Sequence, residues 1–260
     1  MAARRGPSSA DFDFAFHRRS RLTYITRLDR RSIAKSHGRD WHAGTFASDG
    51  EPAELARCLE SSVAERDALV LDLGCGEGCM GRRLARALRR RILGIDFSMP
   101  ALDLAMARRH IRQEFVLADL HRLPLRMGAA SAAFSWDALY LVSDRATALR
   151  EIARVLKIGA PLIFTAYLPT KRLAVERREW SRLLQRAGFE LQVWSDRTEA
   201  WREFMRAKHA RRLAQAARIL TEHGAAALPE LLVSRAMLGS TGNAPYLLQR
   251  SRIWIKAQRR

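Results

Sequence analysis

A short apolar segment that runs directly into closely spaced glycines constrains the fold of this chain more than any other feature. Residues 70–73 have the composition of a buried strand, and Gly74, Gly76 and Gly78 follow at every second position. Glycine adopts backbone conformations that other residues avoid, and it lets a ligand approach where a Cβ atom would collide. An apolar stripe at helical spacing begins at Met80. The pattern therefore predicts a strand, a tight turn and a helix whose N-terminal amides favour negative or polar ligand groups.

From Ala68 onward, short apolar runs alternate with amphipathic stretches, which is typical of βα units in a parallel sheet. The expected strands are Ala68–Leu73, Ile92–Ile95, Glu114–Leu117, Ala132–Ser135, Pro161–Thr165, Phe189–Trp194 and Arg252–Gln258. Roughly 50 residues with helical periodicity separate the last two strands, which indicates an inserted helical segment. The expected fold is α/β, a doubly wound, Rossmann-like sheet of seven strands with an N-terminal helical lid and this insert.

Acidic residues at the ends of successive strands indicate where a ligand binds. Asp72 lies in the first strand, Asp96 closes the second, and Asp119 follows the third. Ligands of open α/β sheets bind outside the carboxyl ends of the strands, where a carboxylate can accept hydrogen bonds from both hydroxyls of a ribose. Gly78 comes two residues after Gly76 rather than three, which departs from the dinucleotide-binding pattern.

The loop and its acids resemble motif I and the following strand ends of the class I S-adenosylmethionine-dependent methyltransferases. The resemblance implies that Asp96 binds the ribose, that Asp119 meets the adenine amino group and that the Leu120 amide contacts the ring. It implies S-adenosylmethionine as cofactor, S-adenosylhomocysteine as product and no metal. The residues that it assigns to the cofactor are Asp72, Gly74, Cys75, Gly76, Asp96, Phe97, Ala118, Asp119, Leu120, Ser135 and Trp136.

A second segment narrows the resemblance to one branch of that family. The sequence Gly38-Arg39-Asp40-Trp41-His42-Ala43-Gly44-Thr45-Phe46 is similar to the Gly-x-Asp-x-His-x-Gly-x-aromatic segment of glycine/sarcosine and dimethylglycine N-methyltransferases. The resemblance runs from Gly38 to Trp201 and is densest from Val70 to Thr165. It implies a single methyltransferase domain over 1–260. Its parts are an N-terminal lid (11–50), a cofactor-binding core (51–196), a helical insert (197–248) and a last strand (249–260).

Methyl transfer from a sulfonium is an in-line displacement, so the enzyme has to align donor and acceptor and exclude water. A neutral amine needs little help from a base, whereas a phenol or hydroxyl needs one within hydrogen-bond reach. The catalytic candidates are His42, Asp137 and Tyr140. His42 is a base, a lid residue or a structural group, and Asp137 either holds a cationic amine or caps a turn. Tyr140, like Trp136, either lines the acceptor pocket or packs beneath the lid.

The acceptor pocket is expected to involve the N-terminal segment and the helical insert. Tyr24 comes from the first, and Trp201 and Met205 come from the second. Trp201 and Met205 are four residues apart and share one helical face. An apolar pair at this spacing is also typical of an ordinary core, so both interpretations stay open.

The charge of the chain is +19, and five of its 46 basic residues are lysines, which leaves 41 arginines. Clustered cations favour a polyanionic partner, but these arginines are spread along the chain, and we prefer solvated helix faces in an arginine-rich protein. We expect a small-molecule acceptor rather than nucleic acid.

No run approaches the ~20 apolar residues of a membrane helix, and the three cysteines form no disulfide or zinc pattern. We therefore expect a cytoplasmic protein without membrane contact, a monomer or a homodimer.

Three functional interpretations follow. The first is a small-molecule methyltransferase that acts on an amine nitrogen of an amino acid-like or specialised metabolite, with carbon, oxygen and sulfur acceptors left open. The second is an RNA methyltransferase, which the charge suggests, although residues 135–138 read Ser-Trp-Asp-Ala instead of the Asn/Asp-Pro-Pro-aromatic loop of exocyclic-amine enzymes. The third is a non-catalytic protein that binds adenosylmethionine.

Overall fold

The computed structural model describes residues 51–239 and 246–260. They divide into two compact units: the first holds 51–198 and 250–260, and the second holds the described residues of 199–249. The predicted lid (11–50), with Tyr24 and His42, lies outside the described residues. The domain boundaries expected from the sequence stay a prediction.

The first unit is built on a seven-stranded sheet with the order β3-β2-β1-β4-β5-β7-β6. The strands are β1 (Leu69–Leu73), β2 (Arg91–Asp96), β3 (Gln113–Leu117), β4 (Ala132–Ser135), β5 (Pro161–Pro169), β6 (Phe189–Asp196) and β7 (Arg250–Arg259). Neighbouring strands are parallel from β3 through β5, whereas β7 pairs antiparallel with both β5 and β6. The α/β, doubly wound fold expected from the sequence is confirmed. Strand β5 continues to Pro169, beyond its last partner in β4, and there it pairs with β7.

Helices connect the strands and cover both faces of the sheet. They are α1 (Glu51–Glu60), α2 (Cys79–Leu88), α3 (Met99–Met106), α4 (Arg145–Val155) and α5 (Leu173–Arg186). Two of them begin at a side-chain cap: Ser98 accepts from the amide of Ala101 before α3, and Asp144 accepts from the amide of Thr147 before α4. Such caps satisfy amides that a helix leaves unpaired at its first turn.

Two apolar clusters hold the sheet between its helices. On one face, Leu55 of α1 and Leu84 of α2 are fully buried with Phe134 of β4. On the other face, Leu149 of α4 and Trp180 of α5 are fully buried in a second cluster. Because every strand from β1 to β7 contributes to one or both clusters, the carboxyl ends of β1 to β4 are fixed on a rigid base.

The second unit is helical, as the sequence predicts for the segment between the last two strands. Its helices are α6 (Thr198–Ala214), α7 (Ala216–His223), α8 (Leu228–Leu238) and the short α9 (Tyr246–Gln249). Ile219 and Leu231 are buried together, with Leu213 and Ala216 packed against them. Across the described residues, no helix combines the length and apolar character that crossing a membrane requires.

Candidate functional site

The glycine loop lies between β1 and α2 in a conformation that only glycine adopts easily. Gly74, Gly76 and Gly78 have φ angles of +72°, +51° and +67°. The amide of Gly74 donates to the carbonyl of Ile95 on β2 at 2.8 Å, which anchors the start of the loop. A Cβ atom built on Gly74 would lie 2.4 Å from the Cβ of Ala138, whereas one built on Gly76 meets no atom of the described residues within 4 Å. The loop is therefore packed at its base and open at its crest.

Asp96, the last residue of β2, is hydrogen-bonded to the crest of this loop. Its Oδ2 accepts from the amide of Gly76 at 2.8 Å, and its Oδ1 accepts from the amide of Ser98 at 2.9 Å. Asp96 is 9% exposed. A carboxylate oxygen carries more than one lone pair, so these bonds leave Asp96 able to accept from hydroxyl groups of a ligand over the loop.

Asp72 lies beneath the loop rather than at its surface. It is 2% exposed, and its Oδ2 has no hydrogen-bond partner among the residues that the structure describes. The pKa of Asp72 is raised from 3.8 to about 8: burial is the largest cause, the backbone hydrogen bond from Gly81 lowers the pKa, and the nearby charge of Asp96 raises it. A Cβ atom built on Gly81 would lie 2.8 Å from Asp72 Oδ2, so the Asp72 carboxyl faces the first turn of α2 and supports the loop from inside the fold.

The raised pKa of Asp72 makes stability depend on pH. The folded chain holds the Asp72 proton up to about pH 8, whereas an unfolded chain releases it near its ordinary pKa, so this stabilisation is lost as the pH rises through 8. We expect Asp72→Asn to remove roughly 2.7 kcal/mol of the fall in unfolding free energy between pH 6 and pH 9, at 1.36 kcal/mol for each of the two pH units below the pKa of about 8. Denaturant unfolding at both pH values measures it, with the exposed Asp103→Asn as control. Equal slopes in wild type and Asp72→Asn would contradict the assignment.

An open cleft of about 630 Å³ follows β3. It is lined by Leu117, Ala118, Asp119, Arg122, Leu123, Pro124 and Leu125. Asp119 is the acid that the resemblance assigns to an adenine amino group, and its Oδ1 lies 2.6 Å from Nδ1 of His121 and accepts from the His121 amide at 2.9 Å. Sequence reasoning missed His121 because a histidine two residues after a strand carries no pattern of its own. The pair fixes the orientation of the Asp119 carboxylate.

The other residues predicted around the cofactor lie along the same edge of the sheet. Burial, with the charges of Asp72 and Asp96, raises the pKa of the Cys75 thiol well above its ordinary value, so the thiol stays neutral. Phe97 and Ala118 are half-buried. Leu120 is buried in the apolar cluster beneath α4, so its side chain belongs to the core.

The turn after β4 brings the next predicted residues together. The hydroxyl of Ser135 is fully buried, donates to the carbonyl of Leu73 at 2.8 Å and accepts from the amide of Leu139 at 3.0 Å. Its side chain is engaged inside the fold, which leaves the predicted cofactor contact of Ser135 to its backbone. Trp136 packs edge-to-face on Trp254 with ring centroids 5.5 Å apart, so its ring belongs to the packing beneath the turn.

Asp137 has partners other than the cationic amine that the sequence suggested. Its Oδ1 accepts from the hydroxyl of Thr165 at 2.7 Å, and its Oδ2 accepts from the hydroxyl of Tyr167 at 3.4 Å. The guanidinium of Arg252 lies 3.3 Å from Oδ1. Burial raises the pKa of Asp137, while Arg252 and the two hydroxyl groups lower it. In the described structure the cation beside Asp137 is Arg252 of the chain itself, and the catalytic role that the sequence suggested for Asp137 stays a prediction.

Sequence reasoning missed Arg252 for a physical reason. The alternation of Ile253 and Ile255 with polar neighbours predicts a strand with one solvent face. Strand β7 instead lies between β5 and β6, and Ile253, Trp254 and Arg252 are all buried. An arginine at an alternating position of an interior strand has to find its partners inside the protein.

The remaining candidates are distributed as follows. Tyr140 is half-buried and packs edge-to-face on Tyr167 with centroids 5.8 Å apart, and the hydroxyl of Tyr167 donates to Asp137. Trp201 and Met205 of α6 are 1% and 2% exposed, and their contact with an acceptor stays a prediction. Within the described ranges, no group of three His, Cys, Asp or Glu side chains could hold a metal ion.

Comparison with known proteins identifies the same region. A family model described as a methyltransferase domain matches residues 70–159. A dimethylglycine N-methyltransferase of Parasynechococcus marenigrum is 28% identical over 198 residues, which cover 62% of this chain and 68% of that protein. A malonyl-[acyl-carrier protein] O-methyltransferase of Pseudescherichia vulneris is 29% identical over 181 residues, which cover 67% of this chain and 70% of that protein. The two relatives are named for different acceptor atoms.

Solved structures share the fold. The [4+2]-cyclase SpnF aligns with a TM-score of 0.61 and 25% identity over 79% of this chain and 80% of that chain. The phosphoethanolamine N-methyltransferase 2 of Haemonchus contortus, in complex with phosphomonomethylethanolamine and S-adenosylhomocysteine, aligns with a TM-score of 0.68 and 16% identity. That alignment covers 88% of this chain and 59% of the other.

Proposed function

We propose that this chain, an S-adenosylmethionine-dependent methyltransferase of class I, methylates a small-molecule acceptor that is nucleophilic without the help of a base. An amine nitrogen of an amino acid-like or specialised metabolite is the first acceptor to test. The observation that carries the proposal is the open crest of the glycine loop at Gly76, clamped by the Asp96 carboxylate at 2.8 Å. A ligand can approach the backbone there without meeting a side chain.

The residues present fit S-adenosylmethionine, which supplies an activated methyl group when bound. Asp96 would accept from the ribose hydroxyls, and Asp119, held by His121, would accept from the adenine amino group. The backbone of Gly74–Gly76 would contact the amino acid part at the open crest of the loop. These assignments follow from the chemistry of the groups, since a carboxylate accepts hydrogen bonds from hydroxyl and amino groups.

The surroundings of Asp137 support an acceptor that needs no base from this part of the site. The Asp137 carboxylate is held by Thr165, Tyr167 and Arg252. A neutral amine attacks a sulfonium without losing a proton first, so alignment and exclusion of water suffice. The relative named as a dimethylglycine N-methyltransferase supports this acceptor class.

A carboxylate oxygen is the second candidate acceptor. A carboxylate is ionised at neutral pH and needs no base either. The relative named as a malonyl-[acyl-carrier protein] O-methyltransferase supports it. The described part of the site suits both acceptors equally well, so the choice between them rests on experiment.

Asp96→Asn tests the cofactor assignment without removing the side chain. The amide keeps an oxygen for one backbone amide but loses the charge that strengthens hydrogen bonds to hydroxyl groups. We expect S-adenosylhomocysteine to bind roughly 10- to 100-fold more weakly, the effect of losing one or two charge-assisted hydrogen bonds. Isothermal titration calorimetry measures the affinity. A change confined to kcat would remove Asp96 from the ribose role.

Methyl-labelled S-adenosylmethionine tests the acceptor class. The protein is incubated separately with a desalted small-metabolite extract and with total cellular RNA, and the label is traced. We expect label in the small-molecule fraction, where mass spectrometry identifies the methylated atom. Label in RNA would instead indicate that the substrate is RNA and that the net charge of +19 serves to bind it. Binding of S-adenosylmethionine without transfer to either pool would favour the non-catalytic interpretation.

A further inference from the structure

We propose that Arg252 is a positioning residue for the glycine loop: through Asp137 it fixes the turn after β4 against Gly74. The inference rests on the proposed function, because the loop that it supports is the proposed cofactor site. Arg252 lies on β7, far along the sequence from both the loop and the turn.

Arg252 is the centre of a buried polar cluster, which we call the Arg252 cluster: Glu51, Asp137, Thr165, Tyr167 and Arg252. The guanidinium is fully buried, and its Nη1 donates to both carboxylate oxygens of Glu51 at 2.9 Å. Its Nε donates to the hydroxyl of Tyr167 at 3.2 Å. Its Nη2 lies 3.3 Å from Asp137 Oδ1, an ion-pair distance without the alignment of a hydrogen bond. A buried cation between two carboxylates is difficult to replace, because its removal leaves both charges desolvated.

Aromatic rings complete the surroundings of the guanidinium. Its Cζ lies 5.3 Å from the ring centroid of Trp136 and 5.5 Å from that of Tyr167. Carboxylates and aromatic faces together are the groups that bind an organic cation. Arg252 fills this space itself, so the cluster is a structural support and not a pocket for a cationic acceptor.

The cluster is connected to the glycine loop through the backbone of Asp137. Asp137 has a φ angle of +59°, a left-handed conformation that is uncommon outside glycine. Its amide donates to the hydroxyl of Thr165 at 3.0 Å, and the same hydroxyl donates to its carboxylate. The next residue, Ala138, lies against Gly74 so closely that a Cβ on Gly74 would be 2.4 Å from its own. The side-chain contacts of Asp137 therefore hold the residue before Ala138, while the Leu139 amide bound to Ser135 Oγ holds the residue after it.

The chain offers a matched control in Arg197. Its Nη2 donates to Glu54 of α1 at 2.6 Å, and its Cζ lies 5.8 Å from the ring centroid of Trp254. Arg197 thus forms the same types of contact as Arg252, to the next turn of the same helix, with its side chain 34% exposed where that of Arg252 is 0% exposed. It forms no ion pair with Asp137 among those that the structure describes.

The test compares the affinity for S-adenosylhomocysteine in Arg252→Lys, Asp137→Asn, their double variant and Arg197→Lys, with thermal unfolding of each. We expect Arg252→Lys and Asp137→Asn each to weaken binding roughly tenfold, the coupling typical of residues in contact. The double variant should bind no more weakly than Asp137→Asn alone, because Arg252 acts through Asp137. Arg197→Lys should lower the melting temperature and leave the affinity unchanged.

Gly76→Arg separates this inference from the proposed function. If Gly76→Arg still binds S-adenosylhomocysteine, the proposed cofactor site is wrong. If Gly76→Arg abolishes binding while Arg252→Lys and Asp137→Asn stay within twofold of wild type, the positioning role is overturned and the Arg252 cluster serves stability alone. If Arg252→Lys does not unfold cooperatively, the affinity of Asp137→Asn alone tests the positioning role. A value within twofold of wild type then overturns that role.

Discussion

Replacing Gly76 with arginine is expected to abolish binding of S-adenosylmethionine and S-adenosylhomocysteine while the fold stays intact. A Cβ at Gly76 meets no atom of the described residues within 4 Å, so the new side chain starts in open space above the loop. It fills the open space above the loop and displaces a ligand that binds against the backbone. We expect the affinity to fall by at least ~100-fold, about 2.7 kcal/mol, measured by isothermal titration calorimetry.

Gly128→Arg is the matched control for this prediction. Gly128 has a φ angle of +63°, close to the +51° of Gly76, and a Cβ there also meets nothing within 4 Å. Both variants therefore carry the same cost of a left-handed side-chain residue, roughly 1–2 kcal/mol of stability. Only Gly76→Arg should change the affinity. Equal affinities in the two variants would show that no ligand binds over the glycine loop.

Gly74→Ala is expected to lower both stability and cofactor affinity, because its new side chain collides with the turn after β4 that packs against the base of the loop. The new Cβ would lie 2.4 Å from the Cβ of Ala138, so either the loop or the turn after β4 has to move. Overpacking costs about 1–3 kcal/mol, and the φ angle of +72° adds its own cost to any residue with a side chain. We expect stability to fall by roughly 2–4 kcal/mol and the cofactor affinity to fall with it.

Ala138→Gly should rescue part of this loss. In the double variant the colliding Cβ of Ala138 is absent, so the overpacking cost disappears while the cost of the positive φ angle remains. Denaturant unfolding of the two single variants and the double variant measures the coupling. Additive losses would mean that Gly74 and Ala138 do not touch in solution. The Arg252 cluster would then have no contact through which it could position the loop.

Most of the fold could be predicted because each strand carries its own local pattern. Strands β1 to β4 are short apolar runs with turn residues behind them, and their predicted bounds lie within one residue of those observed. The extension of β5 to Pro169 could not be predicted in this way. Residues 166–169 are held by β7, a partner more than 80 residues away that no local pattern identifies.

The same distinction applies to the candidate site: residues with a fixed local spacing could be predicted, whereas tertiary contacts could not. Gly74, Gly76 and Asp96 could be found because loop glycines and strand-end acids have a fixed spacing in the chain. The pairing of Asp119 with His121 and the Arg252 cluster could not, because each depends on which atoms the folded chain brings together. Asp137 shows the difference: its position after β4 was predictable, whereas its partners lie on β5 and β7.

The position of β7 has a consequence for the order in which the protein can fold. The strand comes last of the seven in sequence yet lies between β5 and β6, and it brings Arg252 to Glu51 across 201 residues. Contacts of such sequence separation form slowly, because a long loop has to close before any of them is gained. During synthesis, β5 and β6 are complete while the strand that joins them is still missing. Their unpaired edges are then exposed to other chains, so the nascent protein passes through an aggregation-prone stage that ends only when β7 is inserted.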